Sequence, residues 1–308
     1  MLKKVLVSNL MMLKEKARFE NVLRLRGIEP IFPEVDQHLT REQCLYFAGK
    51  IDGWLAGDDP VDEYILRKMF PRLKIISKWG TGIDSFDITA ANKIGIKITN
   101  TPQAFDEAVG EIAVGYVLAL TREIVLTHLA VCSGEWPKKQ HKSLSQLKIG
   151  LLGFGAIGKG IAKRLSCFTA NVSYYDPIQV PDRDLTATPV SLSELNVNSD
   201  VVILCCSMTE TNRNLINDTF LQKMKKGSFV VNVSRGGLID EIALAKHLQE
   251  GHIAGAALDV YRMEPVPSDS ELRKLNVILG SHNANNTEKA VEFVHQNTLK
   301  NLFDAMGV

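Results

Sequence analysis

The sequence predicts an α/β protein of two doubly wound, parallel-sheet domains, and three observations predict it. Its 308 residues suit two domains of about 150 residues each. Short β-branched runs alternate with amphipathic stretches, the pattern of parallel strands joined by crossover helices. The alternation also comes in two series, separated by a long helical pattern.

The first series runs from Lys3 to about Thr99, with candidate strands at 5–8, 29–32, 53–56, 74–77 and 97–99. Its helices are short, punctuated by Gly27, Pro30, Pro33, Pro60 and Pro71. Residues 102–132 then read as a connecting helix with Pro102 near its start. The second series spans about 147–280, with strands expected at 148–152, 172–175, 201–204, 229–233, 255–258 and 277–279. These runs are almost continuously apolar, as strands covered on both faces should be. Residues 287–306 are helical again, apolar at Ala290, Val291, Val294, Leu299, Leu302 and Phe303. Too short to fold alone, this stretch should pack back on the first domain. The expected domains are therefore 1–99 plus 287–308, and 100–286.

Composition narrows the function. Lys and Arg number 36 and Asp and Glu 35, a net charge of +1, so the chain has no large field for gripping nucleic acid or an anionic membrane surface. Apolar residues at 45% and charged residues at 23% exclude a disordered or fibrous chain. Residues 5–8 read as a strand rather than part of a signal peptide, and no apolar run approaches the ~20 residues that cross a bilayer. The five cysteines are odd in number and form no CxxC pair, so neither a metal site nor a disulfide framework is expected. A cytoplasmic setting fits best.

Directly after the strand at 148–152 comes Gly153-Phe154-Gly155-Ala156-Ile157-Gly158, followed by a helical stretch. In that context each glycine has a task. Gly153 permits a tight turn, Gly155 lets the backbone approach a pyrophosphate, and Gly158 lets helix and strand pack closely. The helix N-terminus adds N–H donors and a positive dipole end. The next strand ends in Asp176, whose carboxylate can accept from both ribose hydroxyls and would repel a 2′-phosphate. This Rossmann arrangement predicts NAD rather than NADP; FAD fits less well because the fingerprint sits mid-chain.

Chemistry should then come from groups at neighbouring strand ends. Arg235, just past the strand at 229–233 and before Gly236-Gly237, could clamp a carboxylate with two parallel hydrogen bonds. Glu264 lies just past 255–258 and His282 just past 277–279. A carboxylate beside an imidazole favours its protonated form and fixes its tautomer, which a general acid for carbonyl reduction requires. Taken singly, Glu264 could cap a turn before Pro265 and His282 could be a satisfied loop histidine. The other six, His38, His128, His141, His247, His252 and His295, read as structural.

At this point the residues resemble the D-2-hydroxyacid dehydrogenase family, especially the branch around D-3-phosphoglycerate dehydrogenase, over nearly the whole chain from about Leu73. The matching segments are residues 78–84, 99–102, 153–158, 232–240, 257–260 and 281–283. The resemblance implies a Rossmann domain and a smaller flavodoxin-like substrate domain with a cleft, and a homodimer joined through the nucleotide domains. It implies that Arg235 holds the substrate carboxylate and carbonyl oxygen, that His282 is the acid/base, and that Glu264 polarises His282. Ala156 and Ile157 would contact the pyrophosphate through their backbone, Asp176 the adenine ribose, and Cys206 would border the adenosine. Thr81, Val233, Ser234 and Asp259 would surround the nicotinamide, with Asp259 accepting from its carboxamide. Lys78 and the backbone of Trp79, Gly80 and Thr81 would line the substrate side.

The chain also departs from that pattern. Ala56-Gly57-Asp58-Asp59 stands where phosphoglycerate enzymes often place an arginine, and is acidic and ill suited to a phosphate. Lys78 stands where another arginine is common, and could supply one positive charge. Ser207 replaces the usual proline, and Gln103-Ala104-Phe105-Asp106 replaces the more common Asn-Ser type of loop. The chain stops near residue 308, which on this resemblance would leave out a regulatory C-terminal domain.

The expected function is NAD-dependent hydride transfer to or from C2 of a small 2-hydroxy or 2-keto acid, 3-phosphoglycerate-like or hydroxypyruvate-like, with unphosphorylated acids preferred. The alternative, from another class, is an NAD(H)-sensing corepressor-like module without turnover, which the lack of a basic patch or docking tail disfavours. A formate dehydrogenase reading is disfavoured because that relative carries glutamine beside its histidine.

Overall fold

The structure, a computed structural model, describes residues 2–168, 171–178 and 186–308. It divides into two compact units, one of residues 1–104 with 287–308 and one of residues 105–286.

The first unit carries five parallel strands, β1 (Lys3–Val7), β2 (Ile28–Ile31), β3 (Gly53–Ala56), β4 (Ile75–Lys78) and β5 (Lys97–Thr99), in the flavodoxin-like order β2-β1-β3-β4-β5. β3 and β4 are buried along their whole length. Leu6, Trp54, Ile65, Leu66, Ile76 and Ile96 form the core on one side of the sheet. The C-terminal helix Glu288–Met306 packs on β3 and β4. It can approach because Gly53 has no Cβ; one placed there would lie 2.9 Å from Leu302. β1 ends at Val7, a residue earlier than expected, and the next residue, Ser8, donates its hydroxyl to the fully buried carboxylate of Asp59 at 2.5 Å. The backbone N–H groups of Leu39 (2.8 Å) and Gly57 (3.0 Å) donate to the same carboxylate, and burial still pushes its pKa up. Asp59 is thus an interior knot that ties three loops.

Among its described residues the second unit carries seven parallel strands, β6 (Lys148–Leu152), β7 (Asn171–Tyr175), β8 (Ala187–Pro189), β9 (Val201–Leu204), β10 (Ser228–Asn232), β11 (Ile253–Leu258) and β12 (Val277–Leu279). Their order is β12-β11-β10-β9-β6-β7-β8, the Rossmann pattern, with its reversal between β6 and β9. β8 is an additional edge strand; its Ala-Thr-Pro sequence and largely exposed side chains carry no apolar signal.

The expected single helix over 102–132 is instead two helices, Asp106–Thr121 and Ile124–Cys132. Pro102 lies in a turn ahead of them, where Gln103 takes a positive φ of 56°. The break falls at Glu123, whose φ of 46° leaves the right-handed helical region and redirects the chain. Strands expected at 74–77, 229–233 and 255–258 run Ile75–Lys78, Ser228–Asn232 and Ile253–Leu258. These are ordinary end shifts.

Candidate active site

The second unit builds a nucleotide cradle from its glycines. Gly153, with φ 104°, leaves β6 so tightly that a Cβ would lie 2.7 Å from the Cys206 backbone. A Cβ on Gly158 would meet the Gly153 carbonyl oxygen at 2.4 Å, so only glycine lets the helix Ala156–Ser166 start this close to the strand. Nothing lies within 4 Å of the Cβ position of Gly155, and no side chain caps this helix. The N-terminus of the helix, with Ala156 and Ile157 in its first turn, therefore opens onto space that a pyrophosphate can fill.

Asp176 stands at the end of β7 beside this turn. One of its oxygens accepts from Phe154 N–H at 2.7 Å and the other from Ile178 N–H at 2.9 Å. A carboxylate offers about four acceptor positions, so two remain for ribose hydroxyls. Across the turn, the buried Cys205 thiol donates to the Gly153 carbonyl at 3.1 Å. Sequence reasoning passed over this residue for its neighbour; strand alternation at the end of β9 points one cysteine at the turn and the other outward. Cys206 is the less buried of the two, its thiol pushed up to about 11 by burial. Val233 is buried, and the Ser234 hydroxyl donates to the Cys206 carbonyl, tying the end of β10 to that of β9. These residues fit a dinucleotide.

Three strand ends bring the polar groups together. β10, β11 and β12 finish in step, with Asn232 paired to Leu258 and Leu258 to Leu279. The loop after β12 delivers His282, which takes a left-handed backbone (φ 54°) and donates its N–H to the Asp259 carbonyl at 2.7 Å. The loop after β11 delivers Glu264, whose Oε2 lies 2.7 Å from His282 Nδ1. Glu264 Oε1 accepts from the Tyr261 N–H at 2.9 Å, so each carboxylate oxygen has a separate task. With Nδ1 facing the carboxylate, Nε2 is the nitrogen able to give or take a proton.

Arg235 follows β10, where the buried Asn232 shapes the turn. Its side chain donates to the Arg235 carbonyl at 2.9 Å and accepts from the Ser234 N–H at 3.0 Å. Gly236 then presses against the next loop so closely that a Cβ would lie 1.8 Å from the Tyr261 carbonyl carbon. Arg235 lines a cavity of about 480 Å³ with Met208, Arg213, Gly236, Gly237, Tyr261 and Arg262. Three of these seven residues are arginines, so the cavity favours an anion. Tyr261 is a second residue that sequence reasoning missed. Its hydroxyl lies within hydrogen-bonding reach of both the Leu258 (2.7 Å) and Gly280 (2.9 Å) carbonyls, bracing the loops that carry Glu264 and His282. Nothing in a sequence marks a tyrosine for that task. Asp259 is buried and accepts from the backbone of Asn283 (3.3 Å) and Ala284 (2.9 Å).

The remaining expected residues lie in the first unit, in the loop after β4. Lys78 is buried and its ammonium pairs with Asp58 at 3.1 Å. Trp79 donates its backbone N–H to the Ala56 carbonyl at 2.9 Å and its indole N–H to His295 Nδ1 at 3.0 Å. Burial holds the pKa of His295 below the usual histidine value, which preserves the neutral ring that can accept. Gly80 (φ 113°) makes the turn, and the Thr81 hydroxyl donates to the Thr101 carbonyl at 3.0 Å. Among the described residues no group of three His, Cys, Asp or Glu side chains could hold a metal ion, and no helix is long and apolar enough to cross a membrane.

Comparison with known proteins agrees with this geometry. Residues 114–284 match the NAD binding domain of D-isomer specific 2-hydroxyacid dehydrogenases. The chain belongs to that family. It is 38% identical over 278 residues to a hydroxypyruvate reductase of Thermotoga maritima, covering 88% of this chain and 90% of that protein. It is also 38% identical over 242 residues to a glyoxylate reductase of Thermofilum pendens, covering 75% and 71%. The D-lactate dehydrogenase of Aquifex aeolicus, solved with NAD and lactic acid, superposes with a TM-score of 0.86 at 25% identity over 97% of this chain and 93% of that one. The NAD-dependent formate dehydrogenase of Staphylococcus aureus, solved with NAD, gives 0.87 at 27% identity over 99% and 95%. As a family member, the chain is an NAD-dependent oxidoreductase acting on a CH–OH group.

An Asp176→Ala substitution should weaken NADH binding about 10- to 100-fold, through loss of charge-assisted hydrogen bonds and of the Phe154 tether. Fluorescence titration checks this; an unchanged dissociation constant would remove Asp176 from the nucleotide site.

Proposed function

We propose that the chain reduces small, unphosphorylated 2-keto acids of the glyoxylate and hydroxypyruvate class with NADH. The observation that carries this reading is the 2.7 Å contact between Glu264 and His282 on loops beside Arg235. Arg235 holds the substrate carboxylate by paired N–H donors and draws the carbonyl oxygen into place. NADH, when bound, supplies the hydride that C2 accepts. As negative charge develops on the carbonyl oxygen, His282 delivers a proton from Nε2, and Glu264 stabilises the imidazolium and fixes its tautomer. Asp259 receives the carboxamide N–H of the nicotinamide, Asp176 the adenine ribose, and the 155–157 turn the pyrophosphate. Val233, Ser234 and Cys206 border the coenzyme.

The preference for unphosphorylated acids rests on charge. Lys78 is already matched by Asp58, and Asp59 is committed to the interior, so this loop offers a phosphate no unmatched positive charge. The names of the relatives, glyoxylate and hydroxypyruvate reductases, point the same way. NADH turnover with glyoxylate, hydroxypyruvate, phosphohydroxypyruvate and longer 2-keto acids tests this. Glyoxylate or hydroxypyruvate should give the highest kcat/KM. A lead for phosphohydroxypyruvate would overturn the charge argument, and tight NADH binding without any turnover would favour the nucleotide-sensing reading.

The working form is a homodimer. The helix Ile124–Cys132 contains no Asp, Glu, Lys or Arg and none of its residues is buried; Ile124 is 54% and Leu129 57% exposed, with Trp136 at 76% nearby. A second copy covering this face would remove an apolar surface from water. The five free thiols suit a reducing cytoplasm. Light scattering should report a dimer for the wild type and a monomer for Leu129→Glu; a monomeric wild type would rule the dimer out.

A further inference from the structure

The helix Asp106–Thr121 sends one side chain to the end of β11. The hydroxyl of Tyr116 donates to Asp259 Oδ1 at 3.3 Å. Among the described residues that oxygen otherwise receives only the Asn283 N–H, also at 3.3 Å, while Oδ2 receives the Ala284 N–H at 2.9 Å. The space for the phenol is reserved by Gly280. A Cβ there would lie 2.3 Å from the Tyr116 hydroxyl and 2.4 Å from Asp259 Oδ1, so any other residue would push the two groups apart. Burial and the neighbouring carboxylate raise the Tyr116 pKa, so the phenol stays a donor across the working pH range.

Three donors on a carboxylate with about four acceptor positions leave one position for a further N–H. Without the phenol, Oδ2 keeps its bond from Ala284 but Oδ1 keeps only one long hydrogen bond, so its direction is less tightly set. We propose that Tyr116 is a positioning residue for the coenzyme, its hydroxyl aiming the last acceptor position of Asp259 at the amide N–H of the nicotinamide carboxamide. This rests on the reading of Asp259 given above. It adds a residue from a helix that supplies neither the 153–158 turn nor the Glu264–His282 pair.

The test uses two coenzymes, NADH and its reduced 3-acetylpyridine analogue, which keeps the ring carbonyl but has no amide N–H. Isothermal titration calorimetry gives the dissociation constant of each for the wild type and for Tyr116→Phe, which removes only the hydroxyl. In the wild type NADH should bind more tightly than the analogue. Equal binding there would defeat the reading of Asp259, and the proposal with it. Given that gap, Tyr116→Phe should weaken NADH about three- to tenfold and leave the analogue within twofold. Equal losses for both coenzymes, no loss for either, or a variant that fails to fold would make Tyr116 a structural residue and overturn the proposal.

Discussion

The site depends on three parallel strands ending at the same level. Because Asn232, Leu258 and Leu279 are register partners, the loops that leave them start side by side, and Arg235, Glu264 and His282 need only short loops to reach one edge of the sheet. A slip of one residue in β11 or β12 would turn side chains to the other face of the sheet and lift one loop by about 3.3 Å. That exceeds what a 2.7 Å hydrogen bond tolerates. Register is in turn enforced by burial: Ala256, Ala257 and Leu258 are essentially inaccessible, so a slipped strand would lose its core contacts.

Fixed strand ends still leave flexible loops, and close contacts stiffen them. Gly236 against the Tyr261 backbone locks the turn of Arg235 to the loop of Glu264. The Tyr261 hydroxyl, between two carbonyls, locks that loop to the start of the one carrying His282. Glu264 uses one oxygen for its own loop and the other for the imidazole, so the group that orients the histidine is itself oriented. A carboxylate–imidazole pair held this way would need little reorganisation in the role proposed for it. The arginines of the adjoining cavity bias the same edge toward anions.

Much of this was legible in the sequence because it depends on local rules. Continuous apolar runs marked buried parallel strands, the glycine spacing marked the turn at 153–158, and strand-end positions marked Glu264, His282 and Arg235 as neighbours at one edge of the sheet. What sequence reasoning could not see were contacts between distant segments. Asp59 reads only as part of an acidic stretch, and nothing in it announces that Ser8 and the Leu39 backbone bury its carboxylate. Lys78 reads as an available charge until Asp58 meets it. Tyr261 carries no signal of its own in the sequence. The helix break at Glu123 has no glycine or proline to announce it, and β8 has no apolar pattern. In each case the deciding partner is remote in sequence, or the local signal is absent.

The central claim is that the Glu264-oriented imidazole of His282 supplies the proton in carbonyl reduction. The most direct measurement is the single-turnover rate of NADH oxidation by glyoxylate in Glu264→Gln, alongside the NADH dissociation constant of the same variant. Loss of the carboxylate should slow the chemical step about 10- to 100-fold and leave coenzyme binding within twofold. A single-turnover rate equal to that of the wild type would contradict it.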